Sequence, residues 1–129
     1  MSGMLAGMPF DIDMEWTLED PGLVARFVPG PQHKGPPGML HGGVAALCLD
    51  ECMAALGHAL DKIHTVTGSL NIKYRKPIPL DGRVVRVESW REGEGRRATK
   101  VNGRIVTADG VVAVEATGVF FRSDTGGDD

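Results

Sequence analysis

Residues 35–60 read GPPGMLHGGVAALCLDECMAALGHAL. The stretch opens with glycines and prolines, passes through His41-Gly42-Gly43, and becomes a long apolar run without proline. From Gly43 to about Leu60 it is rich in Ala, Leu and Met and apolar nearly all round, which predicts a helix covered on most sides. At about 1.5 Å per residue such a helix is roughly 25 Å long, similar to the width of a sheet of several strands. Two acids, Asp50 and Glu51, interrupt its middle. Packing gives no reason for them, because an unpaired buried carboxylate costs several kcal/mol. A polar group held where it costs stability is a candidate for function.

On the N-terminal side, Met14 to Leu18 and Leu23 to Val28 are short β-type runs joined by Asp20-Pro21-Gly22, the signature of a hairpin. Residues 29–38, PGPQHKGPPG, read as a rigid loop feeding the helix. On the C-terminal side four more β-type segments follow. Ile63 to Tyr74 alternates less cleanly than the others. Arg83 to Arg91 sets Val85, Val87 and Ser89 against Val84, Arg86, Glu88 and Trp90, and Glu92-Gly93-Glu94-Gly95 reads as a loop. Arg97 to Thr107 and Val111 to Phe121 are separated by the turn Ala108-Asp109-Gly110. The expectation is one α+β domain over residues 1–129. A single long helix is wrapped by a curved antiparallel sheet of about six strands, the last four in meander connections. Residues 1–10 and 123–129 read as loose termini.

Composition narrows the function classes. The net charge of −3 and the lack of a long basic block give nucleic-acid binding little electrostatic support. The N-terminal residues carry no basic segment followed by an apolar core, so neither a signal peptide nor a membrane span is expected. Cys48 and Cys52, four apart on a helix, cannot easily form a disulfide, which suits a reduced, cytoplasmic location. With His58 they suggest a metal site, but two cysteines at helical spacing in an apolar run read as small core residues, and no metal is expected. Asp11, Asp13 and Glu15 lack the glycine and bidentate acid of a calcium loop.

The central stretch carries the chemistry. Gly42 and Gly43 lie where loop becomes helix, where backbone N–H groups are left unpaired and the helix dipole is positive. By itself this is a tight turn; joined to an acid it is a place for an anion or for the oxyanion of an acyl transfer. Asp50 follows Gly43 by seven residues, nearly two turns, so both face the same way about 10 Å apart along the axis. One reacting carbonyl needs its oxyanion donor and its base or nucleophile each about 3 Å away. A single helix therefore cannot serve one substrate from both positions. Two antiparallel copies related by a twofold axis can, so the spacing predicts a dimer.

The run GPPGMLHGGVAALCLDECMAAL followed by NIKYRKPIP resembles the hotdog-fold acyl-CoA thioesterases of the thioesterase superfamily, in particular the branch with GPPG before HGG and an Asp in the helix. The likeness extends from about Gly35 to Phe121. It implies the hotdog fold and hydrolysis of acyl-CoA to a carboxylic acid and CoA. It also implies a homodimer or dimer of dimers, and no cofactor beyond the coenzyme A of the substrate. Under the resemblance Asp50 is the nucleophile or general base, Gly43 N–H polarises the thioester carbonyl, Thr67 assists the acid, and His41 holds the loop. Gly42 belongs to the same binding turn. Lys73, Arg75, Lys76, Arg96 and Arg97 are either a solvated charged edge or the docking point for the coenzyme A phosphates. Many relatives carry Asn or Gln ahead of HGG; here Gln32 or His33 stands nearest, and that role is open.

Glu51 sits about 100° around the helix from Asp50 and reads as structural. His41 as the base itself is a third choice. Met39, Leu40, Met53, Leu56 and Leu60 line an acyl tunnel or are plain core, and the sequence does not separate the two. Two other functions share the pattern: an enoyl-CoA hydratase or dehydratase, and a non-catalytic acyl-CoA-binding module. The first wants a His and an acid poised together, and His41 and Asp50 are nine apart.

Overall fold

The computed structural model describes residues 12–94 and 97–123. Residues 1–10, Asp11, Gly95, Arg96 and the tail from Asp124 onward lie outside the described residues. Strands β1 (Glu15–Glu19) and β2 (Gly22–Phe27) precede helix α1 (Gly42–Asp61). Strands β3 (Thr65–Tyr74), β4 (Val85–Glu94), β5 (Ala98–Val106) and β6 (Val112–Arg122) follow it. All pair antiparallel in one six-stranded sheet of order β1-β2-β4-β5-β6-β3. The hairpin predicted at Asp20-Pro21-Gly22 is present, closed by the Glu19–Gly22 pair.

The helix lies across one face of the sheet. Val44, Ala45, Cys48, Leu49, Cys52, Met53 and Leu56 are buried against it. The sheet answers with Leu23, Ala25, Val87, Ile105, Val114 and Phe120. Close approach needs a bare backbone at Gly103, where a Cβ would stand 2.8 Å from Met53 Sδ and 3.2 Å from Leu49 Cδ2. Leu49 is fully buried, and its truncation to Ala should cost about 2–5 kcal/mol. By length and composition α1 would pass for a membrane span; here it is the core helix of the sheet. Cys48 and Cys52 are buried free thiols pushed up to about 12 by burial. Cys52 Sγ lies 3.4 Å from Ser89 Oγ, whose hydroxyl donates to Cys52 O. That is the core reading of the cysteines, and no group of three or more potential metal-binding side chains occurs among the described residues.

Two expectations need correction. The last four strands are not a simple meander. β3 pairs with β6 rather than with β4, so it becomes a sheet edge, and the chain crosses from there to the interior of the sheet. The crossing segment, residues 75–84, carries Pro77 and Pro79 and is too long for a tight hairpin. Residues 92–94 are not loop but the end of β4, where the pairing register shifts between Arg91 and Gly93 and leaves Glu92 as an extra residue.

A second register shift explains the blurred alternation of β3. The pairing jumps from Thr67–Phe120 to Ser69–Val119, leaving Gly68 as the extra residue. Up to the bulge the odd residues Thr65 and Thr67 turn to the helix side; beyond it the even residues Leu70, Ile72 and Tyr74 do so. On the opposite face of the sheet Glu88 is buried, 2% exposed, and held by Arg86 and Arg104 at 2.6 Å each.

Candidate active site

The helix start is set by His41. Its backbone is extended and its carbonyl accepts from Val44 N and Ala45 N, both at 3.1 Å. Its imidazole turns back so that Nδ1 accepts from Gly43 N at 2.8 Å. The loop before it is pinned by His33, which is buried, accepts from Gly30 N through Nδ1 at 2.9 Å, and accepts from His41 N through its carbonyl at 2.8 Å. The GPPG segment then turns tightly: Gly35 N bonds Met39 O at 2.9 Å, and Gly38 takes a left-handed φ of +76° that only glycine adopts without strain. His33 is thus committed to the loop, and Gln32 folds over Gly30, its Oε1 2.6 Å from where a Cβ would stand.

Midway along α1, Asp50 is half-buried on the side toward β3, and Thr67 Oγ1 donates to its Oδ1 at 2.7 Å. The bulge at Gly68 permits this, because it lets Thr67 and the later residues Leu70 and Ile72 all face the helix. Glu51 is also half-buried; burial first, and the neighbouring Asp50 second, push its carboxyl above the usual range. Each acid of the pair therefore has a distinct setting, and only Asp50 has the threonine.

A cavity of about 310 Å3 opens beside the helix start, lined by Met39, Leu40, Gly42, Ala45, Tyr74 and Ile78 among others. Of the tunnel candidates, Met39 and Leu40 border it, Met53 and Leu56 are core, and Leu60 is 44% exposed. Tyr74, unassigned by the sequence, stands over the turn: its O–H donates to Gly42 O at 2.7 Å. Its signal was the tyrosine of the NIKYRKPIP segment. A larger hollow of about 600 Å3 lies on the other face of the sheet, among Asn71, Lys73, Arg75, Trp90, Arg104 and Thr117. Asp50, Gly42 and Gly43 are not in its lining.

Among the described residues the predicted cations do not form one cluster; Arg96 lies outside them. Lys73 borders that outer hollow, and Arg75, paired to Glu115 at 3.2 Å, borders both it and the cavity at Gly42. Lys76 borders the cavity at Gly42. Arg97, whose carbonyl accepts from Arg122 N, is at the end of the sheet where Thr65 pairs with Arg122. Ten residues of β3 separate the two ends, about 30 Å of strand.

The chain is similar to known proteins along most of its length. The thioesterase superfamily model matches residues 37–114, more than half of the chain, and the chain belongs to that family. The acyl-coenzyme A thioesterase THEM4 of Xenopus laevis is 32% identical over 124 residues, covering 90% of this chain and 52% of that protein. The THEM4 of Bos taurus is 32% identical over 123 residues, with 95% and 50% covered. The chain therefore spans about half the length of the curated relatives it matches. Among solved structures, a Bacillus halodurans protein with CoA is 30% identical with a TM-score of 0.73, covering 85% of this chain and 71% of that one. A hypothetical thioesterase from Streptococcus pneumoniae with coenzyme A superposes with a TM-score of 0.78 at 21% identity, covering 85% and 88%. The long helix against a six-stranded antiparallel sheet is the hotdog fold expected from the sequence.

Proposed function

We propose that this chain hydrolyses acyl-CoA thioesters to a carboxylic acid and CoA, acting as a homodimer or a dimer of dimers. The observation that carries the proposal is the 2.7 Å bond from Thr67 to Asp50. It orients a mid-helix carboxylate that packing alone would not retain. The thioesterase relatives and the CoA-bound neighbour support the substrate class.

The free edge of the sheet supports the dimer. Among the described residues β3 pairs along one edge only, to β6, and the strand exposes Val66 at 53% and Tyr74 at 56%. An unpaired ten-residue edge with apolar side chains is a template for another strand. Antiparallel pairing of two β3 strands about their centre, between Ser69 and Leu70, sets Thr67 of one opposite Ile72 of the other. Thr65 then falls opposite Tyr74. The acid of one subunit is carried toward the glycine turn of its partner, which removes the 10 Å problem within one helix.

In the reaction the thioester oxygen displaces the His41 imidazole from Gly43 N–H, and the helix start stabilises the charge that develops on that oxygen. Asp50 of the partner subunit, aligned by its threonine, removes a proton from water. The water oxygen bonds the acyl carbon, the C–S bond breaks, and the proton passes to the CoA sulfur. Direct attack by the carboxylate, with water then cleaving the mixed anhydride, uses the same residues. No metal or redox cofactor enters these steps. The cations that a single chain holds apart come together in the pair, since the Arg97 end of one β3 lies against the Lys76 end of the other. Together they suit the CoA phosphates. The buried thiols fit a reducing, cytoplasmic setting.

A thiol-release screen over aryl, medium-chain and long-chain acyl-CoAs tests the proposal, with Asp50→Asn as the blank. The variant should keep its Tm and lose activity by about 10²–10⁴-fold or more. Wild-type turnover by that variant would remove Asp50 from the mechanism; no thiol release by the native protein on any substrate would remove the thioesterase reading.

A further inference from the structure

The Gly42–Gly43 peptide group is held from both sides. Tyr74 Oη donates to its carbonyl oxygen at 2.7 Å, and His41 Nδ1 accepts from its N–H at 2.8 Å. The two bonds therefore belong to one amide plane. The tyrosine ring lies close over the same residue: a Cβ on Gly42 would meet Tyr74 Cε1 at 3.5 Å and its hydroxyl at 3.6 Å. Those are ordinary van der Waals distances, so the ring packs directly on the turn.

We infer that Tyr74 is a positioning residue for the oxyanion donor. Its hydroxyl fixes the tilt of the Gly42–Gly43 peptide and draws electron density toward the carbonyl, which makes Gly43 N–H a stronger donor. The inference rests on the thioesterase reading above. Hydrogen bonds in a chain polarise one another, and a donor that is already oriented needs no reorganisation when charge develops on the substrate. The N–H is occupied by an imidazole in the free protein, so the plane is held at the angle a thioester oxygen will need once it replaces His41. Tyr74 reaches this place because the Gly68 bulge shifts the even-numbered residues of β3 to the helix side and the strand ends beside the helix start. The role is separate from that of the cavity wall. Tyr74 lines the 310 Å3 cavity, and its hydroxyl separately donates to the Gly42 carbonyl.

Tyr74→Phe separates the two, since it keeps the ring and removes the donor. On the best substrate from the acyl-CoA screen, kcat should fall about tenfold with KM within twofold, less than the 10²–10³-fold typical for deleting an oxyanion donor outright. A second readout needs no turnover. In the Asp50→Asn background, infrared difference spectra of bound benzoyl-CoA should show the thioester carbonyl shifted to lower frequency, and adding Tyr74→Phe should shrink that shift. Equal kcat and an equal carbonyl shift in Tyr74→Phe would overturn the inference and assign the oxyanion to another N–H of the turn. A raised KM with unchanged kcat would overturn it too, leaving only a cavity wall. A native protein without thiol release overturns the thioesterase reading and this inference with it, whereas an active native protein and an equally active Tyr74→Phe overturn this inference alone.

Discussion

Thr67 Oγ1 donates to Asp50 Oδ1 at 2.7 Å, joining the edge strand of the sheet to the middle of the central helix. Thr67 is exposed in the single chain, so the bond adds little to folding, and on the proposed function it aims the carboxylate. Thr67→Ala should cost under about 1 kcal/mol of stability. It should lower kcat by about 10–100-fold, with Thr67→Ser recovering most of the loss. Urea titration and steady-state kinetics on the three proteins check both numbers.

His41 caps the helix through Nδ1. Removing an N-cap costs about 1 kcal/mol, so His41→Ala should lower Tm by about 3–6 °C. Its kcat should stay within about tenfold of the native value, because in the proposed mechanism the imidazole is displaced rather than used for proton transfer. A loss of 10²–10⁴-fold at unchanged Tm would make His41 the general base.

Glu51 is the acid without a threonine. Its carboxyl is raised above 4.5 by burial and by Asp50. A raised carboxylate holds its proton longer folded than unfolded, so stability falls as pH climbs from about 4.5 through the folded value, and the penalty is complete above it. Glu51→Gln should therefore raise Tm at neutral pH by about 1–2 °C, a gain kept small by solvent screening. The gain should vanish below pH 4.5, and activity should persist. Melting curves from pH 4 to 8 test the sign; a neutral-pH loss of stability would contradict it.

The central helix, its glycine start, the hairpin of β1 and β2 and the alternation of β4 were legible in the sequence because each is a local pattern. The position of β3 was not. Which strand becomes an edge depends on the neighbour it finds, and β6 competes with β4 for it only in the assembled sheet. The imperfect alternation of Ile63 to Tyr74 was itself the trace of the Gly68 bulge, an extra residue that switches the inward set from odd to even. Asp50 was readable as a carboxylate out of place. Tyr74 was visible only as the tyrosine of NIKYRKPIP, since its hydrogen bond to the Gly42 carbonyl is a contact that no spacing reveals. The scattered cations follow the same rule: Lys76 and Arg97 are close in neither sequence nor single-chain structure, and only the proposed pairing with a second chain would bring them together.

The central claim is that each site is built from two copies, with Gly43 from one and Asp50 from the other. Subunit complementation tests it most directly. Asp50→Asn removes the acid, and Gly43→Pro removes the N–H at a position in the first helical turn where proline is tolerated. Each variant alone should release almost no thiol. Unfolded together at equal amounts and refolded, half of the dimers are mixed, and each mixed dimer has one site with both native residues. The account predicts recovery of about a quarter of native activity. A mixture as inactive as its components would contradict it, because a site contained in one chain finds no intact copy in either variant.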